Sequence, residues 1–454
     1  MAYTETTTTG YGTRVGNSFK AIGTGFLMFL AGTALLWWNE GRAVKTEDTL
    51  NEVLQNYVEM TNPEKKDASL EGELICGTAM ATTEDSLSDD QFGIGAKAIS
   101  IRRTVKYYQW VENVKETKKD KLGGSEEVTK EYTYKKEWVS RPVESSDFKN
   151  PAYQKKNMVL TTVEKDEKYA ENVSFGAYKL SESLIHCISS REAMELAISE
   201  DLLKQIDKST QTDYERFYGV QQKNQQPVEQ PAVTAEVSDS AKAANDSINN
   251  AMANAENKKD LEYIHQAGNV LYYGRVPGSP EVGDVCVTFE KVVPAKVTVI
   301  AVVDGDTFKK YKAKNNDRYE RLVMGKKSAD EIIDSDKATN SFWTWALRFI
   351  GALIVIGGLK GIFGFIEMIL KVVPFIAGIF GWGVGIVCTV VGVVWSLIVI
   401  AVAWLFYRPL LGIALLALAG FLIWVFAFKG KDKLKELAAK ARQPQAQPVQ
   451  TENV

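Results

Sequence analysis

An apolar block at 342–428 constrains everything else in this 454-residue chain. It is 87 residues long and holds five charged residues, Arg348, Lys360, Glu367, Lys371 and Arg408. One bilayer crossing takes about 20 apolar residues in a helix, and a soluble domain has no use for so long an uncharged run. The spacing predicts membrane spans at 342–368, 379–406 and 410–428. Arg408-Pro409 is the expected turn between the last two, because Pro cannot continue the helical ladder. A second apolar run, 20–38, ends in Trp37-Trp38, a residue type that anchors helix ends at the membrane–water boundary. It lacks the shorter core and small-residue cleavage site of a signal peptide, so it reads as a retained anchor. The expected fold is a multi-pass α-helical membrane protein of four spans, one before and three after a large polar domain at 39–341.

Charge is divided in the same way. The net charge is -3, yet residues 1–20 carry about +1 and residues 342–454 about +6, which leaves the middle near -10. An acidic domain lacks the basic surface that phosphate binding needs, so nucleic acid is excluded as its partner. The tail at 429–454 holds Lys431, Lys433, Lys435, Lys440 and Arg442. Positive charge marks the cytoplasmic side of a span, and four spans put both termini there, with the acidic domain extracytoplasmic. Residues 1–19 are Thr- and Gly-rich and are expected to be disordered. So is the basic tail.

The polar domain reads as α+β and sheet-rich. Ile99, Ile101, Val105, Tyr107 and Val111 alternate with polar residues at period two, as do Val128, Tyr132, Tyr134 and Trp138. Gly123-Gly124 between them marks a turn, so the pair is expected to be a long hairpin. Further strands are expected at 158–163, 172–179, 269–273, 284–292 and 296–303, and a helix at 183–206. Residues 221–260 are rich in Gln, Ala, Asn and Pro, and read as a low-complexity insertion. Ser328-Ala329-Asp330-Glu331 has the form of a capping box that opens a helix toward the second span.

Chemistry is sparse. The chain has two histidines, His186 and His265, which excludes a three-histidine metal site. No GxSxG, HExxH, P-loop or GxGxxG motif occurs, and Gly93-x-Gly95 is an isolated pair. No catalytic, cofactor-binding or metal-binding residue is therefore assigned, and the expectation is a protein that is not an enzyme and needs no cofactor. Of four cysteines, Cys76, Cys187 and Cys286 lie in the polar domain and Cys388 in a span. One disulfide among the first three stays open beside the reading that they are small buried residues.

Candidate interaction residues follow from charge and aromatic placement. Glu40 and Arg42 sit just after the first span, either as a surface site or as a solvated helix exit. Tyr108 and Trp110 belong to an aromatic set that is either a ligand platform or cross-strand packing. Glu367 and Lys371 lie four residues apart and read as an interfacial ion pair or a functional intramembrane charge. Arg408 stands at the expected turn. Gly357-xxx-Gly361 and Gly381-xxx-Gly385 permit close helix approach.

Several stretches together resemble the LUMA family (the transmembrane protein 43 family): Asn39-Glu40-Gly41-Arg42-Ala43, Ile101-Arg102-Arg103, Tyr108-Gln109-Trp110-Val111-Glu112, Tyr132-Thr133-Tyr134 with Glu137-Trp138, Asp147-Phe148-Lys149-Asn150-Pro151, Pro280-Glu281-Val282-Gly283-Asp284, and Trp404 through Leu410. The resemblance implies a four-span protein of internal membranes. Animal members occupy the endoplasmic reticulum and inner nuclear membrane, self-associate, and bind lamins and emerin. They organise membranes and bring no catalytic residues to carry over. The insertion at 221–260 and the long tail depart from the animal pattern, as in a distant or microbial member, which would sit in a bacterial inner membrane.

These readings converge on a scaffold that works through its extracytoplasmic domain and through homo-oligomers. Its partners would be membrane lipids and other membrane or membrane-associated proteins. A channel or transporter component is the alternative, with Glu367 and Lys371 on its path. An extracytoplasmic enzyme ranks third.

Overall fold

The structure is a computed structural model, and it describes residues 3–161, 163–224, 242–246, 250, 261–370, 374–410, 413 and 417. The chain opens with β1 (Tyr3–Thr9), α1 (Tyr11–Asn56), β2 (Val58–Met60), β3 (Leu74–Thr83), β4 (Ser86–Asp89), β5 (Ile94–Lys97), β6 (Ser100–Asp120) and β7 (Glu126–Val139). It continues with β8 (Asp166–Tyr169), β9 (Val173–Phe175), β10 (Tyr178–Lys179), α2 (Glu182–Ile185), β11 (Arg191–Ala193), α3 (Glu200–Asn224), β12 (Ile264–Ala267), β13 (Val270–Tyr273) and β14 (Val285–Val292). It closes with β15 (Ala295–Asp304), β16 (Thr307–Lys309), β17 (Tyr311–Lys312), β18 (Arg318–Tyr319), β19 (Arg321–Met324), α4 (Ala329–Leu370) and α5 (Pro374–Tyr407). Contacts divide the chain into a sheet-rich unit (1–15, 48–338, 370–377) and a helical unit (16–47, 339–369, 378–454).

The sheet-rich unit holds two main sheets. One has eight strands in the order β1-β7-β6-β14-β13-β12, with β8 also on β6 and β11 on β14. The other has seven, in the order β10-β9-β3-β15-β16, with β19 on β15 and β2 on β3. The expected hairpin is β6–β7, in register from Tyr107 opposite Val139 to Asp120 opposite Glu126. Gly123 and Gly124 turn it at φ 85° and 81°, a region that favours glycine.

The alternation of β15 explains its central place. Val297, Val299, Ala301 and Val303 face one core with Ile75, Phe175, Leu184 and Phe308. Ile300 and Val302 face another, with Leu50 and Val53 from the end of α1 and Ile332 and Ile333 from the start of α4. A strand covered on both sides must be apolar throughout. The eight-stranded sheet has its own core, where Val105, Tyr107, Val285 and Val287 meet Leu203 and Tyr214 of α3. The capping box forms at the start of α4. Ser328 N–H donates to Glu331 Oε2 at 2.9 Å, and Glu331 N–H donates to Ser328 Oγ at 3.2 Å.

Three expectations are corrected here. Residues 3–9 of the expected disordered N-terminus form β1, which pairs with β7 from Tyr3–Tyr132 to Thr9–Glu126. Its β-branched threonines favour extended backbone. Arg14 is buried at the hairpin turn, donating to Gly124 O at 2.8 Å and Asp120 Oδ1 at 2.7 Å. The expected helix 183–206 divides into α2, β11 and the start of α3. Leu184, Ile185 and Ile188 serve one core, whereas Met194, Leu196 and Leu203 serve the other, so the chain must cross between them. No ladder forms at 158–161. The Met158 carbonyl instead accepts from Gln109 Nε2 at 3.0 Å. Of the 221–260 insertion, α3 extends to Asn224 and residues 242–246 are helical. Apart from residue 250, the rest lies outside the described residues, as does the tail at 429–454.

Among the described residues three helices are long and apolar enough to cross a membrane, Tyr11–Asn56, Ala329–Ile366 and Gly383–Tyr407. Leu36, Val355 and Val399 are buried, but many other apolar residues of these helices are exposed. Phe26, Leu27, Phe349, Leu353, Val387 and Leu397 are all exposed, as helices in lipid require and a soluble protein avoids. Residues 411–428, expected as a fourth span, lie almost wholly outside the described residues. α5 ends at Tyr407, just before Arg408-Pro409, where the proline-directed turn is expected.

Glycines bring α1 and α4 together. A Cβ on Gly25 would lie 2.7 Å from the Gly358 carbonyl oxygen, and one on Gly358 would lie 2.5 Å from Phe29 N. Of the sequence-nominated glycines, Gly361 takes part, with its Cβ position 3.0 Å from Gly25 Cα, whereas Gly385 meets nothing within 4 Å among the described residues.

Candidate functional site

A polar network inside the helical unit starts from the helical spacing of two segments. Asn39, Glu40 and Arg42 lie on α1. Asn340, Thr344 and Arg348 recur every four residues on α4, which places them on one face. Arg348 grips Glu40 bidentately, with Nε on Oε1 at 2.6 Å and Nη2 on Oε2 at 2.7 Å. Trp404 of α5 adds a third bond, Nε1 to Glu40 Oε2 at 2.7 Å. The Arg348 guanidinium also lies over the Trp345 and Trp404 rings, at 4.8 and 5.5 Å. Glu40 is 2% exposed. A bidentate, charge-assisted pair with a further donor is the geometry in which a buried carboxylate is tolerated.

A second cluster lies one turn away. Arg42 donates to Asn340 Oδ1 at 2.8 Å, to Thr344 Oγ1 at 3.0 Å and to Asn39 Oδ1 at 3.3 Å. Asn39 Nδ2 donates to the Thr344 carbonyl at 3.0 Å, and Asn340 Nδ2 to the Ala43 carbonyl at 3.0 Å. Arg408 pairs with Glu47. The Tyr407 ring leaves no room for a side chain at position 41, where a Cβ would lie 2.7 Å from it. Chemically this is a staple. Its donors and acceptors are directed at one another across three helices.

Of the sequence-nominated residues, Glu40, Arg42 and Arg408 are thus brought into one region, and the solvated-exit reading of Glu40 is corrected by its burial. The side chain of Glu367 and the whole of Lys371 lie outside the described residues. Sequence reasoning did not assign roles to Asn340, Thr344, Arg348 or Trp404. The four-residue spacing of Asn340, Thr344 and Arg348 was the available signal.

Tyr108 and Trp110 lie in the sheet-rich unit. Tyr108 is buried and directly opposite Trp138 in the ladder, with rings 5.2 Å apart. Burial pushes its hydroxyl up, and the Asp284 charge adds to this. Trp110 is half-buried, edge-on to Tyr153 at 4.9 Å, with Lys136 Nζ 5.1 Å above its ring. Asn157 holds its backbone at both N–H and C=O, at 2.8 and 2.9 Å. Tyr134 stacks on Tyr153 at 4.1 Å. These contacts are cross-strand and loop packing, and the platform reading fails for Tyr108. All four cysteines are free: Cys76, Cys286 and Cys388 are buried and Cys187 is exposed.

The transmembrane protein 43 family model matches residues 107–409, more than half of the chain. Transmembrane protein 43 of Mus musculus is 28% identical over 411 residues, covering 88% of each chain. That of Homo sapiens is 26% identical over 420 residues and 90% of each. The transmembrane protein 43 homolog of Drosophila melanogaster is 30% identical over 158 residues, 34% of this chain and 42% of its own. No solved structure is significantly similar to this chain.

Proposed function

The chain belongs to the transmembrane protein 43 family, and from that premise we propose that it is a non-enzymatic membrane scaffold. Its sheet-rich unit would hold membrane-associated proteins or lipid headgroups, and its helices would associate with those of further copies. The observation that carries this reading is the Glu40–Arg348–Trp404 staple. Both Glu40 oxygens are held by Arg348 and Trp404, which suits a fixed bundle, and among the described residues of this network only Arg42 Nε is buried without a hydrogen-bond partner. Exposed Phe342, Trp343 and Trp345 on α4 supply an interfacial belt of the kind that anchors such a bundle in lipid. Two differently tagged full-length copies, co-expressed and extracted in mild detergent, should be captured together; failure to co-capture removes self-association. Ion flux in liposomes that Glu367→Gln abolishes would favour a channel instead.

In this reading the tail after residue 428 is cytoplasmic and the protein resides in an internal or inner membrane, supported by Lys431, Lys433 and Lys435. A cytoplasmic N-terminus on the far side from the sheet-rich unit would require β1 to leave β7. Thr6 and Thr129 are directly opposed, at a separation a disulfide spans. Crosslinking of Thr6→Cys with Thr129→Cys in native membranes would place residues 3–9 in the compartment of β7. Its absence, together with cytoplasmic labelling of a Thr6→Cys thiol, would support the far-side N-terminus.

A further inference from the structure

A second buried polar group, remote in sequence from the staple, sits where β13 and β14 join. Asp284 is wholly buried. Its Oδ2 accepts from the Tyr272 hydroxyl at 2.6 Å and the Glu281 N–H at 2.8 Å, while Oδ1 has no partner among the described residues. The carboxyl presses on Gly274, where φ is +145° and a Cβ would lie 2.4 Å from Oδ1. The charged and titratable groups around it are Glu281 from the same loop, Arg275 after β13, Tyr272 on β13, Tyr108 on β6 and Tyr218 on α3, with Cys286 of β14 facing Tyr272. Arg275 lies over the Tyr214 ring at 5.7 Å. An ionised Asp284 is therefore a buried charge with one oxygen unsatisfied, which is costly. A protonated one keeps both bonds at Oδ2. Burial pushes the group up to about 7, against the Tyr272 and Glu281 bonds.

The loop that carries Asp284 ties two elements together. Gly283 N–H donates to the Tyr108 carbonyl at 2.9 Å, and Tyr108 N–H to the Asp284 carbonyl at 2.8 Å. From α3, the Tyr218 hydroxyl donates to the Val282 carbonyl at 3.0 Å and the Tyr214 hydroxyl to Glu281. We infer that Asp284 is a proton-operated latch: protonated, it lets residues 280–284 seat against β6 and hold α3, and ionised, it opens that loop toward water and loosens α3.

Hydrogen exchange of the full-length protein in nanodiscs, at pH 5.5 and 8.0 with exchange times scaled for the chemical rate, tests this. Peptides spanning 276–284 and 212–218 should lose protection at least about tenfold at pH 8.0, since each unit of differential affinity is a factor of ten. In Asp284→Asn the two pH values should give equal protection. Equal protection in the unsubstituted protein, or a pH response that survives Asp284→Asn, overturns the latch. Should Asp284→Asn fail to fold, Tyr272→Phe removes a donor to the carboxylate and must move the transition to higher pH. An unmoved transition overturns the inference equally.

Discussion

Removing both members of the Glu40–Arg348 pair should cost far less than the sum of removing each alone. Glu40 accepts three hydrogen bonds, two from Arg348 and one from Trp404, at 2.6–2.7 Å. Glu40→Ala leaves the Arg348 guanidinium, 15% exposed, without its counter-charge. Breaking a buried pair in this way costs about 3–5 kcal/mol, and the Trp404 N–H loses its acceptor as well. Arg348→Ala strands the carboxylate and should cost a similar amount. The double substitution removes both charges, so the singles should fail to add by about 3 kcal/mol. Sodium dodecyl sulfate titration in mixed micelles, followed by tryptophan fluorescence, measures each variant. Added salt should leave the coupling nearly unchanged, because a buried pair is weakly screened. Additivity within about 0.5 kcal/mol would refute the staple.

Gly358→Leu should disrupt the α1–α4 contact, because its Cβ would lie 2.5 Å from backbone N of Phe29. The same titration should show a loss of at least about 1–3 kcal/mol, while Gly385→Leu, which meets no neighbour among the described residues, should be near neutral. Leu203→Ala, fully buried between α3 and the eight-stranded sheet, should lower stability by about 2–5 kcal/mol, read from the thermal unfolding of the sheet-rich unit. The raised Asp284 carboxyl fixes a pH trend. Its stabilising, protonated form is fully present below the ordinary Asp range and is lost as pH rises toward 7, so the sheet-rich unit should lose on the order of 4 kcal/mol from that group. Urea unfolding at pH 5, 6 and 7 should show the decline, and Asp284→Asn should flatten it.

The membrane helices were legible because lipid imposes composition directly: an apolar run of 87 residues with five charges has few other homes. The β6–β7 hairpin was legible from local rules, period-two alternation and a Gly-Gly turn, and the Ser328–Glu331 box from a spacing of three. What escaped was whatever depended on distant chain. Glu40 and Arg42 stood out as charges at a helix exit, yet the partner of Glu40 is 308 residues away. The apolar pattern at 183–206 looked like one helix because it records two cores, and one period cannot show that its residues are divided between them. β1 was missed because threonine is common to flexible tails and to edge strands. Only the opposing ladder of β7, 126 to 132, decides between them. For Tyr108 the sequence left a ligand platform beside cross-strand packing, because its exact register opposite Trp138 and its loop cover, 283–284, are set by distant chain.

The scaffold reading meets its most direct test in native mass spectrometry of the full-length protein released from nanodiscs. The account predicts a defined oligomer that retains lipid, and a Gly358→Leu variant that loses that stoichiometry. A bare monomer, with the staple intact by the double-substitution measurement, would contradict it.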